Sequence, residues 1–170
     1  MRPKEEQNIV LVGMPGCGKT RIGEAVAALM GRPFVDTDQV VAALHGSTPA
    51  QIIQEQGEEA FRRLETQAVQ LSAAQKGVVI ATGGGAVLRE CNRTVLRECG
   101  QVYFLHRALE LLSTQERPLS RDLYALYQQR LPAYQSAAHW EIHNMGTVEE
   151  AAQAVIVAFL KAGKGKEAAD

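Results

Sequence analysis

The sequence lacks several features that mark specialised classes of protein. No apolar run approaches ~20 residues, the length that a helix needs to span a bilayer. The formal net charge is only -1 over 170 residues, which gives no electrostatic case for binding nucleic acid or an anionic membrane. Residues 1–7 are polar and contain no apolar signal core. We therefore expect a chain whose partners are neither nucleic acids nor membranes.

Cysteine is also scarce. The three cysteines, Cys17, Cys91 and Cys99, are odd in number and have no spacing typical of a disulfide framework. This pattern is typical of reduced thiols, so we expect a cytoplasmic protein. The four histidines show no metal-ligand spacing.

The remaining composition is that of an ordinary globular protein, with 46% hydrophobic and 22% charged residues. A length of 170 residues suits one domain, residues 1–170, with a sizeable core. Strand-like runs are predicted at 8–12, 33–36, 78–81, 101–105 and 140–143, and helices at 21–30, 39–44, 49–56, 58–75, 90–98, 122–131 and 148–160. Another helix is predicted to start at Leu109 and to be broken before Pro118. This alternation favours an α/β fold with a mostly parallel sheet and helices on both faces.

Residues 13–20 read G-x-x-x-x-G-K-T, between a predicted strand and a predicted helix. This is the context of a phosphate-binding loop, in which glycines let backbone N–H groups surround an anion and the helix N-terminus adds partial positive charge. Lys19 is expected to reach the β- and γ-phosphates, and the Thr20 hydroxyl can bind Mg²⁺. The predicted ATP-binding residues of the loop are Gly16, Cys17, Gly18, Lys19, Thr20 and Arg21.

Two carboxylates, Asp36 and Asp38, end the second predicted strand. Residues i and i+2 of an extended chain point the same way, so both side chains should face the phosphate site. One carboxylate can hold Mg²⁺ through water, and the other can accept a proton from an alcohol nucleophile. The alternative interpretation is a helix N-cap, where aspartate is common.

Arginines supply the expected cationic groups. Neighbouring helix residues lie on different sides, so only one of Arg62 and Arg63 can share the inward face of Phe61. Arginine suits bidentate recognition of a carboxylate, whereas a solvated helix face explains Arg63. Arg117 and Arg130 flank a segment predicted to be mobile, and a loop carrying arginine can close over a phosphate site. Surface charge is the alternative for each.

The ordered set GMPGCGKT, DTD, GEEAFRRLE, ATGGGAV, RPL and R-x-x-x-Y resembles the shikimate kinases over roughly residues 9–160. Many nucleotide kinases share the first motif, but the ordered set is far more specific. The resemblance implies a three-layer P-loop kinase fold, with a five-stranded parallel sheet, helices on both faces and a short lid at approximately residues 113–124. It also implies transfer of the γ-phosphoryl group of ATP to the 3-hydroxyl of shikimate, in aromatic amino acid (chorismate) biosynthesis. A cytoplasmic, Mg²⁺-dependent monomer is expected.

The resemblance also implies roles for single residues. Asp38 would contact the hydroxyls of shikimate and act as the base, and Asp36 would lie near Mg²⁺. Arg117 would be the lid arginine that reaches the phosphates and, with Lys19, would assist catalysis. The remaining implied substrate contacts are the carboxylate-binding Arg62 and Arg130 and the backbone of Gly83, Gly84 and Gly85.

The sequence departs from the family pattern in two places. An arginine that packs against adenine usually precedes R-P-L by several residues, but residues 109–116 contain none. The segment between Arg117 and Arg130 is also shorter than usual. We therefore expect looser selectivity for the nucleotide base.

Other functions compatible with the phosphate loop are a gluconate or nucleoside monophosphate kinase and a non-catalytic nucleotide-sensing module. The order of DTD, FR and GGG favours shikimate. A protein that only binds nucleotide needs no catalytic base. The presence together of Lys19, Thr20, Asp36 and Asp38 therefore argues against the sensing module. Cys17 is interpreted either as a reactive thiol that nucleotide protects or as a small residue that fits the turn.

Overall fold

The computed structural model describes residues 2–112 and 121–162, with the side chains of residues 121 and 122 left aside. Five strands lie in this part of the chain: β1 (Asn8–Val12), β2 (Phe34–Asp36), β3 (Val79–Ala81), β4 (Gly100–His106) and β5 (Trp140–His143). Its seven α-helices are α1 (Lys19–Met30), α2 (Thr37–His45), α3 (Pro49–Gln56), α4 (Glu58–Ala74), α5 (Glu90–Cys99), α6 (Arg121–Ala137) and α7 (Val148–Ala162). Short 3-10 turns occur at Ala86–Leu88 and Leu109–Leu111. No described helix is both long and apolar enough to cross a membrane.

The five strands form one sheet in the order β2-β3-β1-β4-β5, and every neighbouring pair is parallel. Every residue of β1, the middle strand, is buried, as expected of a parallel strand covered on both faces. Helices α1 and α7 pack together, and α4, α5 and α6 form a second contiguous layer. The predicted α/β architecture with a five-stranded parallel sheet is confirmed.

The hydrophobic core has two parts. The larger part surrounds the sheet and includes residues of β1, β3 and β4. A smaller cluster of Val41, Ile52, Phe61 and Ala68 joins α2, α3 and α4. Burial of Phe61 fixes the first turn of α4, and with it the neighbouring Arg62.

Helix α6 is longer than predicted, because it continues through Pro132 to Ala137. A proline inside a helix costs about 3 kcal/mol or more, since it removes one backbone hydrogen bond and crowds the preceding turn. Tyr134 and Ala137 follow it and are completely buried, which offsets this cost. Arg97 also donates Nη1 hydrogen bonds to three carbonyls at the helix end, those of residues 136, 137 and 138, at 3.1 to 3.3 Å. The predicted lid lies outside the described residues except for 121–124, which belong to α6.

Candidate active site

A cavity of about 610 Å³ opens at the carboxyl edge of the sheet, where ligands bind in open α/β folds. Its lining residues are Pro15, Gly16, Gly18, Lys19, Thr20, Arg21, Asp36, Asp38, Phe61, Arg62, Glu65, Thr82, Gly83, Gly84, Gly85, Arg107, Leu111, Arg130, Asn144 and Val148. All the predicted site residues are among them except Cys17 and Arg117. Cys17 is 1% exposed and lies behind the loop surface, and Arg117 falls outside the described residues.

The phosphate loop joins β1 to α1 in the predicted context. Gly18 is the N-cap of α1 with φ of 95°, a conformation that favours glycine. A side chain on Gly13 would place its Cβ 2.8 Å from the Leu105 carbonyl oxygen, so close packing also requires glycine there. The Lys19 ammonium is buried and donates to the carbonyls of Gly13 and Met14, each at 2.8 Å. These two bonds hold the cation across the loop that should surround phosphate.

Thr20 and Asp36 form the oxygen-rich part of the cavity. The Thr20 hydroxyl donates to Asp36 Oδ2 at 3.0 Å, and Asp36 Oδ1 accepts from the Asp38 backbone N–H at 2.9 Å. Asp36 is therefore the N-cap of α2, which begins at Thr37. The extended-chain argument for Asp36 and Asp38 is thus wrong, although both side chains do line one cavity. A hydroxyl and a carboxylate are hard oxygen ligands of the kind Mg²⁺ prefers, so these residues fit that ion.

The Asp38 carboxyl lies in the first turn of α2. Burial raises its pKa, the charge of Asp36 raises it further, and the cations Lys19 and Arg62 oppose the rise. A raised pKa brings the carboxylate closer to the basicity that suits proton transfer near neutral pH. Asp38 can therefore accept a proton within reach of the phosphate loop.

Arg62 is held by two acidic residues of its own helix. Its Nη1 donates to Glu65 Oε2 at 2.7 Å, and its Nη2 donates to Glu58 Oε1 at 3.1 Å. The Glu65 side chain is 1% exposed, whereas that of Glu58 is 68% exposed. Burial lowers the pKa of Arg62, but the two carboxylates outweigh this effect and the net change is a rise. The guanidinium stays charged inside the cavity, with one buried and one displaceable partner.

Burial also raises the pKa of Glu65, and the nearby Asp38 adds to the rise while Arg62 opposes it. Its Oε1 has no hydrogen-bond partner in the described part of the structure. The buried charge of Glu65 is therefore balanced mainly by Arg62, and removing Arg62 would leave the Glu65 carboxylate without its hydrogen-bond partner.

The glycine run 83–85 makes room for side chains of the protein itself. A Cβ on Gly83 would lie 2.7 Å from both Asp38 Oδ1 and Glu65 Oε1, and a Cβ on Gly84 would lie 2.7 Å from the Pro15 ring. A Cβ on Gly85 would collide with the guanidinium of Arg62. A side chain at Gly83 or Gly85 would therefore displace the two carboxylates or the arginine from their present positions in the cavity.

Helix α6 contributes Arg130 and Tyr134, one turn apart. The Tyr134 hydroxyl donates to the Gly84 carbonyl at 2.6 Å, and its ring stacks on Phe104 of β4 with centroids 4.9 Å apart. Burial raises the pKa of Tyr134 to about 12, with the charge of Arg130 opposing the rise. The hydroxyl therefore stays protonated as a donor, and Arg130 lies on the same cavity wall as the glycine run.

Cys17 does not expose its thiol. Its Sγ is 3.8 Å from the Lys19 ammonium, but the residue is 1% exposed. A reactive thiol must be accessible as well as ionised, so the structure favours the second interpretation, a small residue that fits the turn.

Sequence reasoning missed Glu65, Arg107 and Asn144. The helical spacing i, i+3 from Arg62 could have indicated Glu65. Arg107 and Asn144 directly follow β4 and β5, so their position at the carboxyl edge of the sheet was the available signal.

Comparison with known proteins gives a consistent result. The family model described as shikimate kinase matches residues 15–161. A shikimate kinase of Symbiobacterium thermophilum is 47% identical over 149 residues, which cover 79% of this chain and 85% of that protein. The solved shikimate kinase from Acinetobacter baumannii in complex with shikimate superposes with a TM-score of 0.88 and 34% identity, over 94% of this chain and 96% of the other.

A gluconokinase from Sinorhizobium meliloti also superposes, over 96% of this chain and 97% of its own. Its TM-score is 0.67 and its sequence identity 18%, so this likeness concerns the fold alone.

Proposed function

This chain belongs to the shikimate kinase family, and we propose that its cavity transfers the γ-phosphoryl group of ATP to the 3-hydroxyl of shikimate. The observation that carries the proposal is one cavity in which a phosphate loop, a half-buried carboxyl with a raised pKa and a largely buried arginine side chain meet. Shikimate is a small anion with three hydroxyls. Its binding needs cationic groups for the carboxylate and an acceptor for the reacting hydroxyl.

The nucleotide end of the site is built around α1. Backbone N–H groups of residues 16–20 surround the phosphates, and Lys19 neutralises charge on the transferred group. Thr20 would hold Mg²⁺ directly and Asp36 through water, because their oxygens already lie 3.0 Å apart. Bound there, Mg²⁺ would supply positive charge to stabilise the phosphates during transfer. Arg117 is proposed to add a further positive charge, on the strength of the family resemblance.

The acceptor end supplies the base. As the shikimate oxygen forms its bond to the γ-phosphorus, the bond from that phosphorus to the β–γ bridging oxygen breaks and ADP leaves. Asp38 takes the proton of the attacking hydroxyl, and its raised pKa suits this transfer. Most of the rate enhancement comes from positioning and charge stabilisation, since phosphoryl transfer needs little covalent help from the protein.

The carboxylate of shikimate is proposed to bind Arg62 and Arg130. Glu65 remains with Arg62 because it is buried, whereas the exposed Glu58 can yield its place to the ligand. Loss of a buried arginine–carboxylate clamp costs about 2 to 5 kcal/mol, so Arg62→Ala should raise KM for shikimate strongly.

A coupled assay that offers shikimate, gluconate and AMP as acceptors tests the proposal. We expect turnover with shikimate as the acceptor and none with gluconate or AMP. Phosphorylation of AMP or gluconate without shikimate would replace the proposal by one of the other kinases, and nucleotide binding without turnover would favour the sensing module. We also propose that the protein is a monomer and works in the cytoplasm. Size-exclusion chromatography with light scattering would check the oligomeric state.

A further inference from the structure

The strand order divides the lining of the cavity into three regions. The acceptor residues Asp38 and Gly83 follow β2 and β3, and the phosphate loop follows the central β1. On the other side of β1, the cavity is lined by residues that follow β4 and β5 and begin α7. The proposed acceptor and triphosphate leave this third region free for the remaining part of ATP.

The third region consists of Arg107, Leu111, Asn144 and Val148. Leu111 is 45% exposed and Val148 is half-buried, so both leave apolar surface open at the cavity. A flat aromatic ligand would cover apolar surface on both. Arg107 is the only cation among the four residues, and no arginine occurs in residues 109–116.

We propose that Arg107 stacks on the nucleobase of ATP. Its Nε donates to the Leu111 carbonyl at 2.9 Å, which fixes the guanidinium at the rim of the cavity next to the exposed Leu111 side chain. A planar guanidinium packs well against the face of an aromatic ring. The hydrogen bond lowers the entropic cost of placing Arg107, because the side chain is ordered before the ligand arrives.

Asn144 ties this region to the phosphate loop. Its backbone N–H donates to the His106 carbonyl at 2.7 Å, and its Nδ2 donates to the Cys17 carbonyl at 3.3 Å. The ends of β4 and β5 are thereby fixed to the loop that receives the phosphates. Arg107 directly follows His106, so its distance from the phosphate site is set by the same two bonds.

This role has a consequence for selectivity. Every base offers a π-face, so stacking on Arg107 adds affinity without distinguishing adenine from guanine. The looser base selectivity expected from the sequence is compatible with it. Two other roles are possible for Arg107: it could contact the phosphates, or it could only stabilise the turn at Leu109–Leu111.

Direct binding measurements separate these roles. Calorimetry should compare the wild type with Arg107→Ala, using MgADP and inorganic tripolyphosphate as ligands. We expect MgADP binding to weaken about 3- to 30-fold, the range for a cation over an aromatic ring, while tripolyphosphate binding stays unchanged. KM for ATP and for GTP should rise by similar factors, and KM for shikimate should not change.

Two further variants complete the test. Arg107→Gln can still donate a hydrogen bond to the Leu111 carbonyl. A loss of MgADP affinity in this variant therefore cannot be caused by loss of the hydrogen bond that holds the turn at Leu109–Leu111. The matched control is Arg63→Ala, which removes an exposed arginine outside the cavity and should bind MgADP like the wild type.

Unchanged MgADP affinity in both Arg107 variants would overturn the proposal. An equal loss for tripolyphosphate would do the same, because it would place Arg107 on the phosphates. The inference rests on the proposed function only in that the cavity binds ATP. Because MgADP binding is measured without an acceptor, a failure to phosphorylate shikimate would leave this test intact.

Discussion

Replacing Asp38 by asparagine should inactivate the enzyme and stabilise its folded state at the same time. The substitution keeps the size of the side chain and removes its charge. Catalysis loses its base, and general acid–base catalysis typically contributes about 10²- to 10⁴-fold. We therefore expect kcat to fall by that factor while the affinity for MgADP stays close to that of the wild type.

The stability gain follows from the position of the carboxyl. Burial, together with the charge of Asp36, raises the pKa of Asp38 in the folded protein. A folded-state pKa above the unfolded value means that the folded state binds the extra proton. Ionisation is therefore penalised, and stability is lost as the pH rises through the folded-state pKa. The uncharged amide of the Asp38→Asn variant avoids this penalty at neutral and higher pH.

The free energy of unfolding is expected to rise by about 0.5 to 2 kcal/mol, the usual range for a single stabilising substitution. In a protein of this length, each kcal/mol moves the melting temperature by about 2 to 4 °C. Thermal unfolding without ligand at about pH 8 should show the increase. As the pH falls towards the folded-state pKa the difference should shrink, because the wild-type carboxyl then takes up its proton.

Glu24→Gln is a suitable control, since it neutralises an exposed carboxylate of α1 outside the cavity. It should change neither kcat nor the melting temperature by a comparable amount. An Asp38→Asn enzyme with near-normal kcat would refute the assignment of the base. An Asp38→Asn protein that melts below the wild type at about pH 8 would refute the electrostatic argument.

Three further outcomes are expected. Tyr103→Phe removes a fully buried hydroxyl without a partner in the described structure, so thermal unfolding should show a gain of about 1 kcal/mol; a clear loss would contradict this. Glu58→Gln removes an exposed carboxylate that competes for Arg62, so steady-state kinetics should show KM for shikimate falling about 2-fold, as suits a surface ion pair; a rise would mean that Glu58 positions the arginine. His139 is exposed as a whole, but its Nδ1 accepts from the Val102 N–H at 3.0 Å, and partial burial of the ring lowers its pKa. A depressed folded-state pKa gives stability that is complete above the unfolded value of about 6.5 and is lost as the pH falls through the folded value, so His139→Gln should flatten the melting temperature between about pH 7 and pH 5.

The sequence was most informative where the chemistry is local. The phosphate loop needs only its own glycines, the strand before it and the helix after it, so eight consecutive residues predicted its conformation. Asp36 and Asp38 were identified for a reason that proved wrong. The carboxylate of Asp36 caps a helix that begins one residue later, and such capping competes with an extended strand wherever aspartate occurs.

The glycine run illustrates what a sequence cannot give. From the three consecutive glycines, we predicted space for a ligand next to the backbone. In the structure, the room at Gly83 and Gly85 is taken by carboxylates and an arginine from α2 and α4. These contacts join residues far apart in the chain, so they depend on how the helices pack over the sheet. Pro132 is a similar case, because only the burial of later residues explains why α6 continues.

The three regions of the cavity cannot adjust independently, because hydrogen bonds cross between them. The Thr20–Asp36 bond links the phosphate loop to the end of β2, and the Asn144–Cys17 bond links the same loop to the end of β5. Both bonds meet at the turn that follows the fully buried β1. Phosphoryl transfer requires the attacking and leaving oxygens to lie in line with phosphorus. The phosphate loop at the end of this buried strand therefore sets the distance between acceptor and nucleotide, and the exposed side chains at the rim remain free to vary with the ligand.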